Sequence, residues 1–261
     1  MHKPLLVTAV VGAVVAATTT SVQASNRVPT ELADRHLTIP KRTIRIDGGP
    51  RWGLPFWPFP EGQLVVRTHD GPGDPAWLNA GATFGLSPQF HLGAVVPIQI
   101  GPGDPDLHDP RVHLLYAFLN GDADVGIFFS AGVPFEAGGI ATITGFPMQF
   151  HLGGSVRLDT GPFMSAWLDP DADDSIVVDF GAPFELPINL SPQFFLGPEA
   201  GIVTHNEFDS TTFPVGFFIG YTMGGGGETF GDLVFRIRDH DSRNFGDVVD
   251  LIFAADLYFD I

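Results

Sequence analysis

The 261-residue chain has no cysteine, so no disulfide framework holds it together, and a chain of this size needs none. It is also poor in cations, with 13 Lys and Arg against 30 Asp and Glu and a formal net charge of −17. Nucleic acid is thereby excluded as a partner, because neutralising phosphates needs clustered Lys and Arg. Beyond its first residues the chain lacks any run of eighteen apolar residues, which excludes a helical membrane protein on length. Long Ala/Glu/Lys/Leu segments of period 3.6 are missing too, while Gly (32), Pro (23) and Phe (24) abound, so an all-β fold is expected.

What is present begins with period two. In the last fifteen residues Val249, Leu251, Phe253, Ala255, Leu257, Phe259 and Ile261 share one face, and Asp250, Ile252, Ala254, Asp256, Tyr258 and Asp260 the other. From Ile176 to Leu190 every even position is apolar. Phe213, Val215, Phe217, Ile219, Tyr221 and Met223 repeat the pattern. Strands of this length suit a bilayer crossed at a tilt, which takes about 9 to 11 residues, better than a soluble sheet, whose strands usually have 5 or 6.

Residues 1–24 read as a signal peptide: His2 and Lys3, an apolar run from Leu5 to Ala17, then Val22-Gln23-Ala24 before Ser25. Residues 25–60, rich in Pro, Arg and Trp, read as an extended leader that hangs free or tucks into the mouth of the fold. Residues 61–261 carry about twelve period-two segments. Three related stretches, SPQFHLG at 87–93, PMQFHLG at 147–153 and SPQFFLG at 191–197, mark tight turns between them.

The connections sort into two alternating classes. Short ones fall at 87–88, 120–123, 153–155, 191–192 and 224–228. The others, at 70–76, 101–111, 169–174, 205–211 and 239–247, are mostly longer and acidic, with 136–138 as the exception. An up-and-down barrel places successive connections at opposite ends and so produces this alternation, whereas a Greek-key sandwich does not. The stretch 63–261 resembles the outer-membrane β-barrel proteins of Gram-negative bacteria, and Leu251-Ile-Phe-Ala-Ala-Asp-Leu-Tyr-Phe-Asp-Ile261 resembles their C-terminal assembly signal, with Ile261 where Phe or Trp is common. The resemblance implies an antiparallel up-and-down transmembrane barrel in the cell outer membrane, inserted by the assembly machinery through its last strand. The resemblance identifies architecture and not cargo; the leading reading is a porin-like channel for small cationic or neutral solutes. A non-conducting structural or adhesive barrel and a soluble exported β-sandwich that binds a ligand are the alternatives.

With the apolar faces outside, the opposite set lines the interior: Arg67, His91, His151, Arg157, Asp159, Asp179, Glu185, Glu199, Arg236, Arg238, Asp250 and Asp256, with His113, Gln149 and Asp232. Such carboxylates either bias a wet pore toward cations or, in a closed interior, pair with the arginines. His91 and His151 occupy matching points of two related stretches and are read as hydrated interior groups, with metal ligation or base catalysis as the sharper alternative. No cofactor is expected. Ser130, Ser165 and Ser175 stand in no nucleophile elbow, so no catalytic residue is expected either. Asp169, Asp171, Asp173 and Asp174 offer oxygens to divalent cations, but lack the Gly and Glu that complete an EF-hand loop. Trp77 and Trp167 near one end of the strands, and Tyr221 and Tyr258 near the other, are expected to form a thin aromatic girdle.

Overall fold

In the computed structural model, residues 28–46, 63–68, 76–100, 106–107, 110–132, 140–168, 176–205, 210–224, 229–239, 241–244 and 249–261 are described. They form one closed antiparallel barrel of twelve wall strands. β1 is built in two pieces, Thr43–Ile46 and Gln63–Thr68. β2 is Ala76–Ser87, β3 Phe90–Ile100, β4 Asp106–Leu107 with Arg111–Leu119, and β5 Ala123–Gly132. β6 is Ile140–Gly145 with Met148–His151, β7 Arg157–Thr160 with Phe163–Leu168, and β8 Ile176–Glu185 with Ile188–Asn189. β9 is Phe194–His205, β10 Ser210–Thr212 with Val215–Met223, β11 Thr229–Asp239 and β12 Val249–Asp260. Each strand pairs with its sequence neighbour, and β12 closes the ring on β1 through Val249↔Thr68 at one end and Thr43↔Asp260 at the other.

Four strands break where a proline interrupts them, β6 at Pro147, β7 at Pro162, β8 at Pro187 and β10 at Pro214, and the long piece of β4 starts just after Pro110. Proline has no N–H to give the ladder, yet its carbonyl still accepts. The wall uses that half: Gly126 donates to the Pro147 carbonyl (2.9 Å), Phe146 to that of Pro162 (2.9 Å), Arg157 to that of Pro187 (3.1 Å) and Gly201 to that of Pro214 (3.0 Å). The breaks are therefore local, and register is kept on both sides.

Polarity is inverted relative to a soluble domain. Every strand shows large apolar side chains outward, among them Ile46, Leu78, Leu92, Tyr116, Phe129, Met164, Phe184, Ile202, Phe217, Ile237 and Phe253. Arginines, carboxylates and histidines are buried inside. An apolar belt running right round the molecule far exceeds the few hundred Å² that a soluble monomer exposes in one patch, and its solvent is lipid. No layer of the chain covers this belt among the described residues, which removes the soluble sandwich.

Two features differ from the sequence reading. The 25–60 leader does not stand wholly ahead of the fold: Thr43–Ile46 belongs to the wall, pairing with β12 and with β2 through Arg45↔Thr83. Tyr258 is not a girdle residue. It is 2% exposed and stacks on Phe230 inside the barrel, centroids 4.4 Å apart, whereas Tyr221 faces outward. The signal peptide, the acidic run from Asp169 to Asp174, and the side chains of Trp77 and Trp167 lie outside the described residues.

Candidate functional site

The interior side chains are organised by register. Reading across neighbouring strands, Asp159 faces Glu185, Glu185 faces Glu199, Glu199 faces Gly216, Gly216 faces Arg238, Arg238 faces Asp250 and Asp250 faces Arg67. Six of the residues expected inside thus fall in one row across seven strands; the Arg67 side chain lies outside the description. Carboxylates opposite one another repel, so arginines must sit among them. Arg236 Nη1 donates to Glu185 Oε1 (2.7 Å) and Glu199 Oε2 (2.5 Å), and Arg238 Nε donates to Glu199 Oε1 (2.6 Å). Arg157 holds Asp159 through two bonds of 2.6 Å. These groups are nearly dry, and stripping one partner from such a set costs about 3–5 kcal/mol.

Gly216 makes one of these reaches possible. β10 separates Glu199 on β9 from Arg238 on β11, and a side chain at 216 would stand between them. A Cβ there would meet Glu199 Oε1 at 2.6 Å and the Ile237 carbonyl oxygen at 2.5 Å. The same device seats inward aromatics: Phe163 lies over Gly181 and Phe218 over Gly197, each its direct cross-strand partner. Phe195, Phe218 and Val234 then pack with Leu32, and Phe128, Ile143 and Phe163 belong to a second cluster with Leu37. The interior is accordingly less polar than the sequence pattern implied.

Leu32 and Leu37 come from residues 28–42, which lie within the lumen at the end where the short turns fall. Arg35, 3% exposed, donates to Asp232 (2.7 and 3.1 Å) and Thr222 (3.1 Å), and covers the rings of Phe230 and Tyr258. Burial lowers its pKa from the ordinary arginine value. Arg157 Nη1 donates to the carbonyls of Leu32 (2.5 Å) and Arg35 (2.7 Å), and Asn189 Oδ1 accepts from the Ala33 N–H (2.9 Å). Asp124 Oδ2 accepts from the Leu37 N–H (3.2 Å) and lies 2.9 Å from His36 Nδ1. Thr38 donates to the Pro88 carbonyl (2.6 Å). The segment is a plug fastened to turns and strand ends around the bore.

The remaining expected residues are placed as follows. His151 meets the plug, its Nδ1–H donating to the Ala33 carbonyl oxygen at 2.7 Å. His91 is fully buried elsewhere, its ring edge-on to His113 at 6.4 Å, so the two matching histidines do not share a site. Asp179 lies 3.4 Å from His205 Nδ1. Asp250 and Asp256 are buried in the wall of the lumen, Asp256 opposite Asp232. Sequence reasoning missed Arg35, His36, Asn189 and Asp124; nothing in a linear pattern marks partners 88 residues apart.

No protein-family model matches the sequence, and no curated protein is similar to it. Among solved structures the chain is similar to the NanC porin, at 9% identity, with 84% of this chain and 99% of that one covered and a TM-score of 0.54. The KdgM porin is similar at 5% identity, with 84% and 99% covered and a TM-score of 0.50. At such identities the likeness is one of fold. Together with the closed ring and its apolar belt, it gives the chain the closed twelve-strand β-barrel architecture that these porins share.

Proposed function

We propose that the protein is a porin-like channel of the outer membrane, passing small cationic or neutral solutes through a bore that residues 28–42 narrow at the periplasmic mouth. The observation that carries the reading is the inverted polarity of a closed twelve-strand wall, lipid-facing outside and charged within. Six arginines and eight carboxylates are buried among the described residues, a small acidic excess that favours cations. In this reading residues 1–24 direct export, the last strand is the handle for the assembly machinery, and the acidic run at 169–174 gathers divalent cations from solvent. No residue is assigned a catalytic role.

A second reading, a non-conducting structural barrel, is favoured by the number of bonds that fasten the plug. Planar-bilayer recording of the purified protein separates the two. Discrete conductance steps, with a reversal potential in a salt gradient displaced toward the cation potential, are the expected result. A protein that inserts without steps is the structural barrel, and anion preference overturns the solute class.

A further inference from the structure

We propose that His36, Asp124 and His151 form a binding site for a divalent transition metal that clips the plug to the barrel wall. Their candidate ligand atoms all lie within 4.8 Å of one another. His36 comes from the plug, Asp124 from the start of β5 and His151 from the end of β6, so one ion would join three separate segments.

Hydrogen bonding prepares the donors. The Ala33 carbonyl can only accept, so His151 Nδ1, 2.7 Å away, carries the proton. In the neutral ring that leaves the lone pair on Nε2. This atom is buried without a hydrogen-bond partner and points at Asp124 Oδ2, 3.6 Å away. A lone pair facing a carboxylate is repulsive until a second ring proton or a metal cation stands between them. Asp124 is itself held in place, Oδ1 accepting from the Gly121 N–H (2.9 Å) and Oδ2 from the Leu37 N–H (3.2 Å). An imidazole whose far nitrogen donates to a carbonyl, beside a carboxylate fixed by amides, is the outer arrangement that orients metal ligands.

The donor set selects the ion. Two imidazoles and one carboxylate suit zinc and its first-row neighbours, while calcium and magnesium take oxygen almost throughout. With bonds of about 2.1 Å, tetrahedral ligand atoms stand roughly 3.4 Å apart. The present spacing reaches that by rotamer adjustments on the order of 1 Å. The His36 side chain, 31% exposed, leaves the fourth position open to solvent. Because the ion would bind only with the plug seated, a hundredfold excess over its dissociation constant would favour the seated form about a hundredfold.

The inference goes beyond the channel reading and stands or falls apart from it, since a non-conducting barrel could bind metal equally. The test is calorimetric titration of zinc chloride into the full-length barrel in detergent, with folding checked by heat-modifiable gel migration. One equivalent of zinc binding is expected, lost in Asp124→Asn and His151→Ala. His36→Gln, which alters the plug and leaves the wall intact, is expected to weaken binding at least tenfold. Cobalt in place of zinc should give the intense visible bands of a four-coordinate ion. Absence of binding in the unaltered protein overturns the site and leaves a proton as the only bridge. Binding that survives His36→Gln and His151→Ala unchanged overturns it too.

Discussion

Gly216 shows how a single residue sets the interior. Its missing side chain lets Glu199 reach across β10 to Arg238, a contact of 2.6 Å between strands that are not neighbours. Gly216→Ala puts a carbon into that path, so the ion pair and the adjacent backbone must both move. The barrel is expected to lose about 3 kcal/mol, seen as a lower urea midpoint for unfolding from detergent. An unshifted midpoint would show that the pair is solvated and contributes nothing. This role was not legible in the sequence, where glycine at an inward position looks like empty space. The inward direction of Glu199, Arg236 and Arg238 was legible, because one face of each strand meets hydrocarbon and cannot hold charge. Their grouping was not, because it depends on how far each strand slides past the next.

At the scale of elements, the alternation of short and long connections could be read directly, and the described strand ends fall within a few residues of it except at 101–111, where β4 already begins at Asp106. β1 could not be read this way. Its two pieces flank sixteen residues, 47–62, and a four-residue strand such as Thr43–Ile46 is too short to announce a period. The connection from β11 to β12 carries its own small lock. Asp241 accepts from Arg243 at 2.7 and 3.0 Å, and these bonds hold its carboxyl down at about 2 against an ordinary 3.8. A depressed carboxyl contributes order that is present above its unfolded value and lost as the pH falls through the folded one. The turn is therefore expected to keep its hydrogen-exchange protection at pH 4 and to lose it toward pH 2. Arg243→Gln should move the carboxyl titration, followed by NMR, up toward 3.8. Titration at the ordinary value in the unaltered protein would remove the lock.

Over the whole molecule, closure and plugging are joined. The plug leads straight into the first piece of β1, and Ile261 donates back to the Arg42 carbonyl (2.9 Å) while Thr43 donates to Asp260 (2.8 Å). Arg35 anchors the plug through buried bonds to Asp232 and Thr222. Arg35→Ala leaves the Thr222 hydroxyl donating to Asp232 (2.6 Å) but removes a buried pair worth about 3 kcal/mol, roughly a hundredfold in the seated population. Single-channel recordings of this variant are expected to show larger or longer openings than the unaltered barrel. Identical traces would mean that residues 28–42 do not obstruct the bore.

The turn at Arg42, with φ +70°, gives the plug a short leash. Only residues 39–41 separate Thr38, which donates to the Pro88 carbonyl, from the wall hydrogen bonds of Arg42, a reach of about 10 Å when fully drawn out. A dislodged plug cannot wander; it hovers over the opening at an effective concentration in the millimolar range or higher. Unblocking is then a flicker, ended by recapture within one molecule, and the protein concentration in the membrane has no influence on how long it lasts.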